Sequence, residues 1–164
     1  MAVAHDAVSE SHTGTTGSAS QASFSWTHTP VGTPRGVLVF TFVNANANDA
    51  TAVTYGGVTM TAVTGGRAVD TAGEPGDCKA WFLGTSVPTG AQTVVVTRTN
   101  NANVMYGAAI TVTASTPTTL PVGVVLLQGD QAPAQQSVND GSPGVNSVRY
   151  AACNYGANGI PAAG

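Results

Sequence analysis

Charge is what this chain most lacks. Only 8% of its 164 residues are Asp, Glu, Lys or Arg, against about 25% in ordinary globular proteins. Lys79 is the sole lysine, and five basic residues against eight acidic ones leave a net charge of −3. A protein that tracks phosphates needs a basic face, so no nucleic-acid partner is expected. The chain is not disordered for want of charge, because 42% of its residues are hydrophobic and can fill a core. Two cysteines, Cys78 and Cys153, are too few for a disulfide framework and too few soft ligands for a metal centre. They read as small buried hydrophobes, with a bridge between them as the other reading. No Asn-x-Ser/Thr sequon occurs. The longest apolar runs, 36–40 and 122–127, fall far short of the roughly 20 residues of a membrane-spanning helix, so no membrane partner is expected. The opening Met1-Ala-Val-Ala-His-Asp6 lacks the basic and apolar regions of a secretory signal. With Met1 as the start, synthesis in the cytosol is expected.

Thr, Val, Ala and Gly dominate instead, while the helix formers Leu, Glu, Lys and Arg are scarce. β-Branched runs punctuated by Gly, Pro, Asn and Asp read as strands and turns. Residues 1–20 are small and polar, and read either as an N-terminal arm or as an edge strand. Phe24, Trp26 and His28 alternate with Ser25 and Thr27, the pattern of a half-buried strand. Gly36 to Val43 is nearly continuous in apolar residues, as in a central strand buried on both faces. Thr51–Tyr55 and Val58–Val63 flank Gly56-Gly57, two residues suited to the positive φ of a tight hairpin turn. A loop is expected through Gly65, Gly66, Asp70, Glu74 and Gly76. Further strands are expected at Cys78–Leu83, Gln92–Thr99, Asn103–Thr113, Val122–Leu127 and Asn146–Asn154. Short strands between turn signals predict an all-β antiparallel sandwich or barrel, with a single domain over residues 21–164 behind the N-terminal segment.

The residues that carry chemistry are few. No Gly-x-Ser-x-Gly elbow and no phosphate-cradling glycine loop is present, so no catalytic or cofactor-binding residue is expected. His5, His12 and His28 all lie in the first 28 residues, and read as solvent-facing. On a regular strand His5 and His12 point to opposite faces, which denies them a shared metal unless a bulge intervenes. Asp70, Glu74 and Asp77 share one glycine-rich loop, with Asp130 and Asp140 in later loops. Paired acids serve glycoside hydrolysis only when held about 5–10 Å apart. The loop could instead offer oxygen ligands to calcium, although it lacks the ordered Asp-x-Asp-x-Asp-Gly pattern; turn formation and solubility are the ordinary uses of such residues. Trp26, Trp81 and Tyr106 are the candidates for a flat platform that stacks on sugar rings. Core packing between sheets is the plainer use of both tryptophans.

A series of segments runs through the chain in order: Phe24-Ser-Trp-Thr-His28, the apolar strand 36–43, and Val53-Thr-Tyr-Gly-Gly-Val-Thr-Met-Thr-Ala-Val63. Ala80-Trp-Phe-Leu-Gly84, Val87-Pro-Thr-Gly-Ala-Gln-Thr-Val-Val-Val96 and Ala108 to Thr113 continue it. Over roughly residues 20–130 this order resembles a jelly-roll-like β-sandwich module of bacteriophage virion proteins and bacterial surface proteins. The resemblance implies a non-enzymatic virion structural protein, a capsid decoration or a tail- or fibre-associated subunit, assembled in the host cytoplasm. Its partners would be copies of itself, other virion proteins and host-surface glycan. A carbohydrate-binding or adhesion module of a bacterial surface protein is the alternative. Modules of this kind usually continue with closing strands, whereas this chain ends in Asn158-Gly-Ile-Pro-Ala-Ala-Gly164. Either the sheet is smaller or an edge is left open. An open edge is a template for another chain, and an extended arm with that edge is then expected to serve assembly.

Overall fold

β-Branched and aromatic residues at alternate positions suit a pleated surface with one buried side. The computed structural model describes residues 3–13, 21–43, 50–70, 76–99 and 104–114, and every regular element among them is a strand. In chain order these are β1 (Ala4–His12), β2 (Ser23–His28), β3 (Gly36–Val43), β4 (Ala50–Tyr55) and β5 (Val58–Thr59). β6 (Thr61–Asp70), β7 (Gly76–Leu83), β8 (Gln92–Arg98) and β9 (Met105–Thr113) follow. The strands form two antiparallel sheets, a larger one in the order β1-β9-β3-β7-β6 and a smaller one in the order β2-β8-β4-β5. Packed face to face, they make a β-sandwich.

The pairings are nested. β4 pairs with β5, β3 with β7, β2 with β8 and β1 with β9. The chain is therefore one long antiparallel ribbon, folded back at the β4–β5 turn and wrapped so that successive rungs fall alternately in the two sheets. β6 is the exception, added outside β7 on the edge of the larger sheet. At the fold-back point Gly56 and Gly57 take φ of 55° and 80°, as the two-residue turn requires.

Alternate residues of the two inner faces meet in the core. Val37, Val39 and Val43 from β3 face Val53 and Tyr55 from β4, and Val94 and Val96 from β8, all with no exposed surface. Leu38, Phe40 and Phe42 point the other way and are half-buried. The central strand is thus fully buried on one face and partly on the other. β6 runs on to Asp70 where a loop is expected from its glycines. The structure takes up Gly65, at φ 70°, in a register shift between Ala62 and Arg67; the extra residues bulge out and pairing then resumes. Residues 4–12 form an edge strand along β9, so this part of the N-terminal segment is docked rather than a free arm. The strands expected at 122–127 and 146–154 lie outside the described residues.

Trp26 crosses to the larger sheet and lies directly against Gly107 of β9. A Cβ built on Gly107 would stand 2.5 Å from Trp26 Cη2 and 3.3 Å from Phe24 Cζ, and the Phe24 and Trp26 rings stack with centroids 5.6 Å apart. Only a glycine fits beneath that pair. Gly107→Ala should therefore lower stability by about 1–3 kcal/mol, the usual cost of overpacking a filled core. Urea denaturation followed by tryptophan fluorescence reads both the loss and the displacement of Trp26.

Candidate functional site

The densest polar arrangement among the described residues lies on the side of the sandwich where β1 covers β2. Period-two alternation turns Phe24, Trp26 and His28 of β2 inward. On β1 the register against β9 shifts between His5 and Ala7, a bulge that aims Asp6 inward. Asp6 Oδ2 accepts a 2.8 Å hydrogen bond from Thr111 Oγ1 on β9, and its Oδ1 accepts the Gly32 N–H at 2.6 Å. Thr111 Oγ1 lies 3.1 Å from His28 Nε2. His28 Nδ1 lies 2.7 Å from Ser9 Oγ, which accepts the Trp26 Nε1–H at 2.9 Å.

Donor counting fixes every proton in this chain. Thr111 spends its one hydroxyl proton on Asp6, so it must accept from His28 Nε2–H. Nδ1 is then bare and accepts the Ser9 proton. The result is a one-way relay, from Trp26 through Ser9, His28 and Thr111 to the Asp6 carboxylate. His28 is fully buried, and burial pushes its pKa down from the ordinary 6.5, with the nearby Asp6 carboxylate partly opposing the shift. Tyr55 packs edge-on against the imidazole, centroids 6.0 Å apart. Its hydroxyl is buried, with no hydrogen-bond partner among the described residues. Burial first, and Asp6 second, push that phenol up to about 12. Asp6 is the charged group that acts on both His28 and Tyr55.

A serine within hydrogen-bond reach of a histidine is also the first requirement of nucleophilic catalysis. Here, though, Ser9 Oγ is already held by Trp26, and the imidazole has no path to solvent. The arrangement fastens β1 and β9 of one sheet to β2 of the other.

A second polar cluster lies on the opposite side. Arg67 on β6 binds the Asp77 carboxylate through Nε at 3.0 and 3.2 Å and through Nη2 at 2.5 Å. Asp77 is fully buried, whereas the Arg67 side chain is 49% exposed. Lys79 Nζ donates 3.0 Å to the Ala50 carbonyl on β4 and stands 4.4 Å over the Trp81 ring. Trp81 Nε1 donates to Thr41 Oγ1 at 3.2 Å. Burial, and next the Arg67 charge, push the Lys79 pKa down.

These placements revise the residues singled out from sequence. Trp81 is only 4% exposed and Trp26 sits on Gly107, both on inward faces, while Tyr106 lies on the outer face beside His12, ring centroids 5.8 Å apart. The three do not share a platform, because strand alternation sends the tryptophans into the core. The calcium reading loses Asp77, whose carboxylate the guanidinium occupies. Glu74 lies outside the described residues, and of Asp70 only the backbone is described. No group of three or more metal-binding side chains occurs among the described residues. His28 is buried instead of solvent-facing. The β1 bulge puts His5 opposite Val112 and His12 opposite Tyr106, on one face after all, but about 20 Å apart at 3.4 Å per residue, too far for one ion. Cys78 is half-buried on β7 opposite Phe42, and Cys153 lies outside the described residues. Comparison with known protein families, characterised proteins and solved structures gives no match.

Two outcomes follow from the titratable groups. In the unfolded chain His28 binds a proton at its ordinary pKa, before the folded chain does, so its contribution to stability is complete above pH 6.5. That contribution drains as pH falls through 6.5 toward the lower folded value. Urea midpoints should thus drop on acidification from about pH 7.5 to about pH 5, with a shallower slope in His28→Gln. Arg67→Ala leaves the Asp77 carboxylate without its guanidinium. Half of that guanidinium is in water, so the loss should be about 1–3 kcal/mol, less than for a fully buried pair, by the same denaturation assay.

Proposed function

We propose that the protein is a non-enzymatic structural subunit of a bacteriophage virion, a capsid decoration or a tail- or fibre-associated protein that assembles through its sheet edges and outer face. The nested ribbon supports the jelly-roll reading, since that fold winds eight strands into two sheets through two Greek keys. Here β6 would be an addition to the eight. Capsid proteins and lectins both use the architecture, so fold does not choose between them.

The outer face of the larger sheet carries the choice. Val8 on β1, Tyr106, Ala108 and Ile110 on β9, and Leu38, Phe40 and Phe42 on β3 lie side by side there by register. An antiparallel sheet with one face in water alternates apolar and polar residues. This one carries apolar residues on both faces, with the polar His5, Glu10 and His12 of β1 along the border of the outer one. No described strand lies over it. Depletion of charge is the mark of an interface core, and it extends here to the whole chain. The relay supports a structural role over a catalytic one, because its serine and histidine are committed to each other and the histidine is fully buried.

The carbohydrate-binding alternative asks for exposed aromatic rings beside hydrogen-bonding groups. Of the three candidates Tyr106 alone is turned outward.

Light scattering over a concentration series tests the proposal. The expected result is a closed oligomer or particle-sized assembly. A single-chain mass at every concentration, together with glycan binding that Tyr106→Ala abolishes, would overturn it in favour of adhesion.

A further inference from the structure

β1 has an unusual balance of attachments. None of its nine residues is buried, and Val8, its largest apolar side chain, is 57% exposed. Apolar burial, the main adhesive between strands and body, therefore contributes little to holding it. Yet β1 covers the edge of β9, whose inward Met105, Ala109 and Thr111 are all fully buried core positions. The ladder and a set of directional polar bonds do the holding.

Those bonds read the β1 sequence at fixed positions. Asp6 answers the Thr111 hydroxyl and the Gly32 N–H. Ser9 answers His28 Nδ1 and Trp26 Nε1–H. Just past the strand, Thr13 donates its N–H to the Met105 carbonyl at 2.9 Å and accepts the Met105 N–H on Oγ1 at 3.0 Å. The bulge beside Asp6 sets the phase between the first contact and the second. The body thus presents a template for a strand with Asp, Ser and Thr in this order and spacing, and the strand that meets it is β1.

We infer that in the assembly the β9 edge of each copy is covered by β1 of a neighbouring copy. The inference rests on the assembly reading above and names the strand and the receptor groups it uses. A β1 from an identical chain satisfies every donor and acceptor of the template as its own does, so exchange requires no new contact. Replacing like with like leaves the gain to linkage between copies, the usual route to swapped oligomers. Each copy gives one strand and takes one, which suits a ring or a lattice equally.

Val8 and Ile110 are direct cross-strand partners on the outer face, and neither belongs to the polar template. A tagged Val8→Cys chain and an untagged Ile110→Cys chain, co-expressed and oxidised, should yield a disulfide between the two introduced cysteines of different chains. Peptide mass mapping identifies it, and co-expressed tagged and untagged wild type controls for Cys78 and Cys153. The double variant Val8→Cys/Ile110→Cys, oxidised as the assembly, should run as covalent multimers on a non-reducing gel and revert on reduction. An assembly in which the double variant is linked only within single chains, and the mixed pair not at all, overturns the exchange and leaves assembly standing. Wild-type protein that stays monomeric, with only intrachain links in the double variant, overturns both.

Discussion

The relay from Trp26 through Ser9, His28 and Thr111 to Asp6 joins the two sheets on the side where a sandwich would otherwise gape. A buried imidazole is tolerable only when both its nitrogens are satisfied. Here one accepts and the other donates, so the direction of every bond is determined by its neighbours. Such a chain polarises along its length in a medium of low dielectric, and its members are worth more together than singly. Much of the nearby geometry answers to it. The β1 bulge brings Asp6 inward, and the missing side chain of Gly107 lets Trp26 lie close enough to reach Ser9. A regular β1 would have turned that carboxylate to the outer face.

The far side is stitched by different chemistry with the same economy. Lys79, the only lysine, reaches from β7 across to the Ala50 carbonyl of β4 and lies over the Trp81 ring. Arg67 ties β6 to β7 through a carboxylate that has no access to water. Between these two seams the core is mainly valine, joined by Tyr55, Met60, Leu83 and Met105, and there packing supplies adhesion but little register. Charged groups are scarce in the chain, and Asp6, Arg67, Asp77 and Lys79 are used at the sides, where a specific distance between strands has to be held.

The strands that hold the middle could be read from the sequence because their information is local. Alternation of Phe24, Trp26 and His28 marks β2, and a nearly continuous apolar run marks β3. The apolar end 80–83 marks β7, β-branched residues mark β8 and the second half of β9, and Gly56-Gly57 marks the hairpin through its positive φ. β6 was harder, since Gly65, Gly66 and Asp70 are the residues of a loop, and a bulge uses the same chemistry. β1 reads equally as arm or strand: its polar residues gain strand character only from partners 19 and 105 residues away, and no window on the chain contains them. His28 was legible in part. Its alternation with Phe24 and Trp26 turns it inward, but the serine and threonine that make burial possible come from other strands. Asp77 looked like a loop ligand until β6, running further than its glycines suggest, set Arg67 beside it.

The nested topology also orders the strands by the cost of bringing them together. β4 and β5 are separated by a two-residue turn, whereas Asp6 and Thr111 are 105 residues apart. Each doubling of the loop to be closed adds about 0.6 kcal/mol of entropy cost, and the intervening rungs shorten the effective loop only once they have formed. The β1–β9 rung is therefore the outermost in the ribbon and depends on those inside it. Its β1 strand also brings no buried residue to offset its closure. A strand with both properties is where identity of chain matters least. Its receptor is complete once the body has folded, its own residues are soluble without it, and its bonds depend on sequence and not on covalent connection. Topology and burial thus both point to the strand through which one copy can enter another.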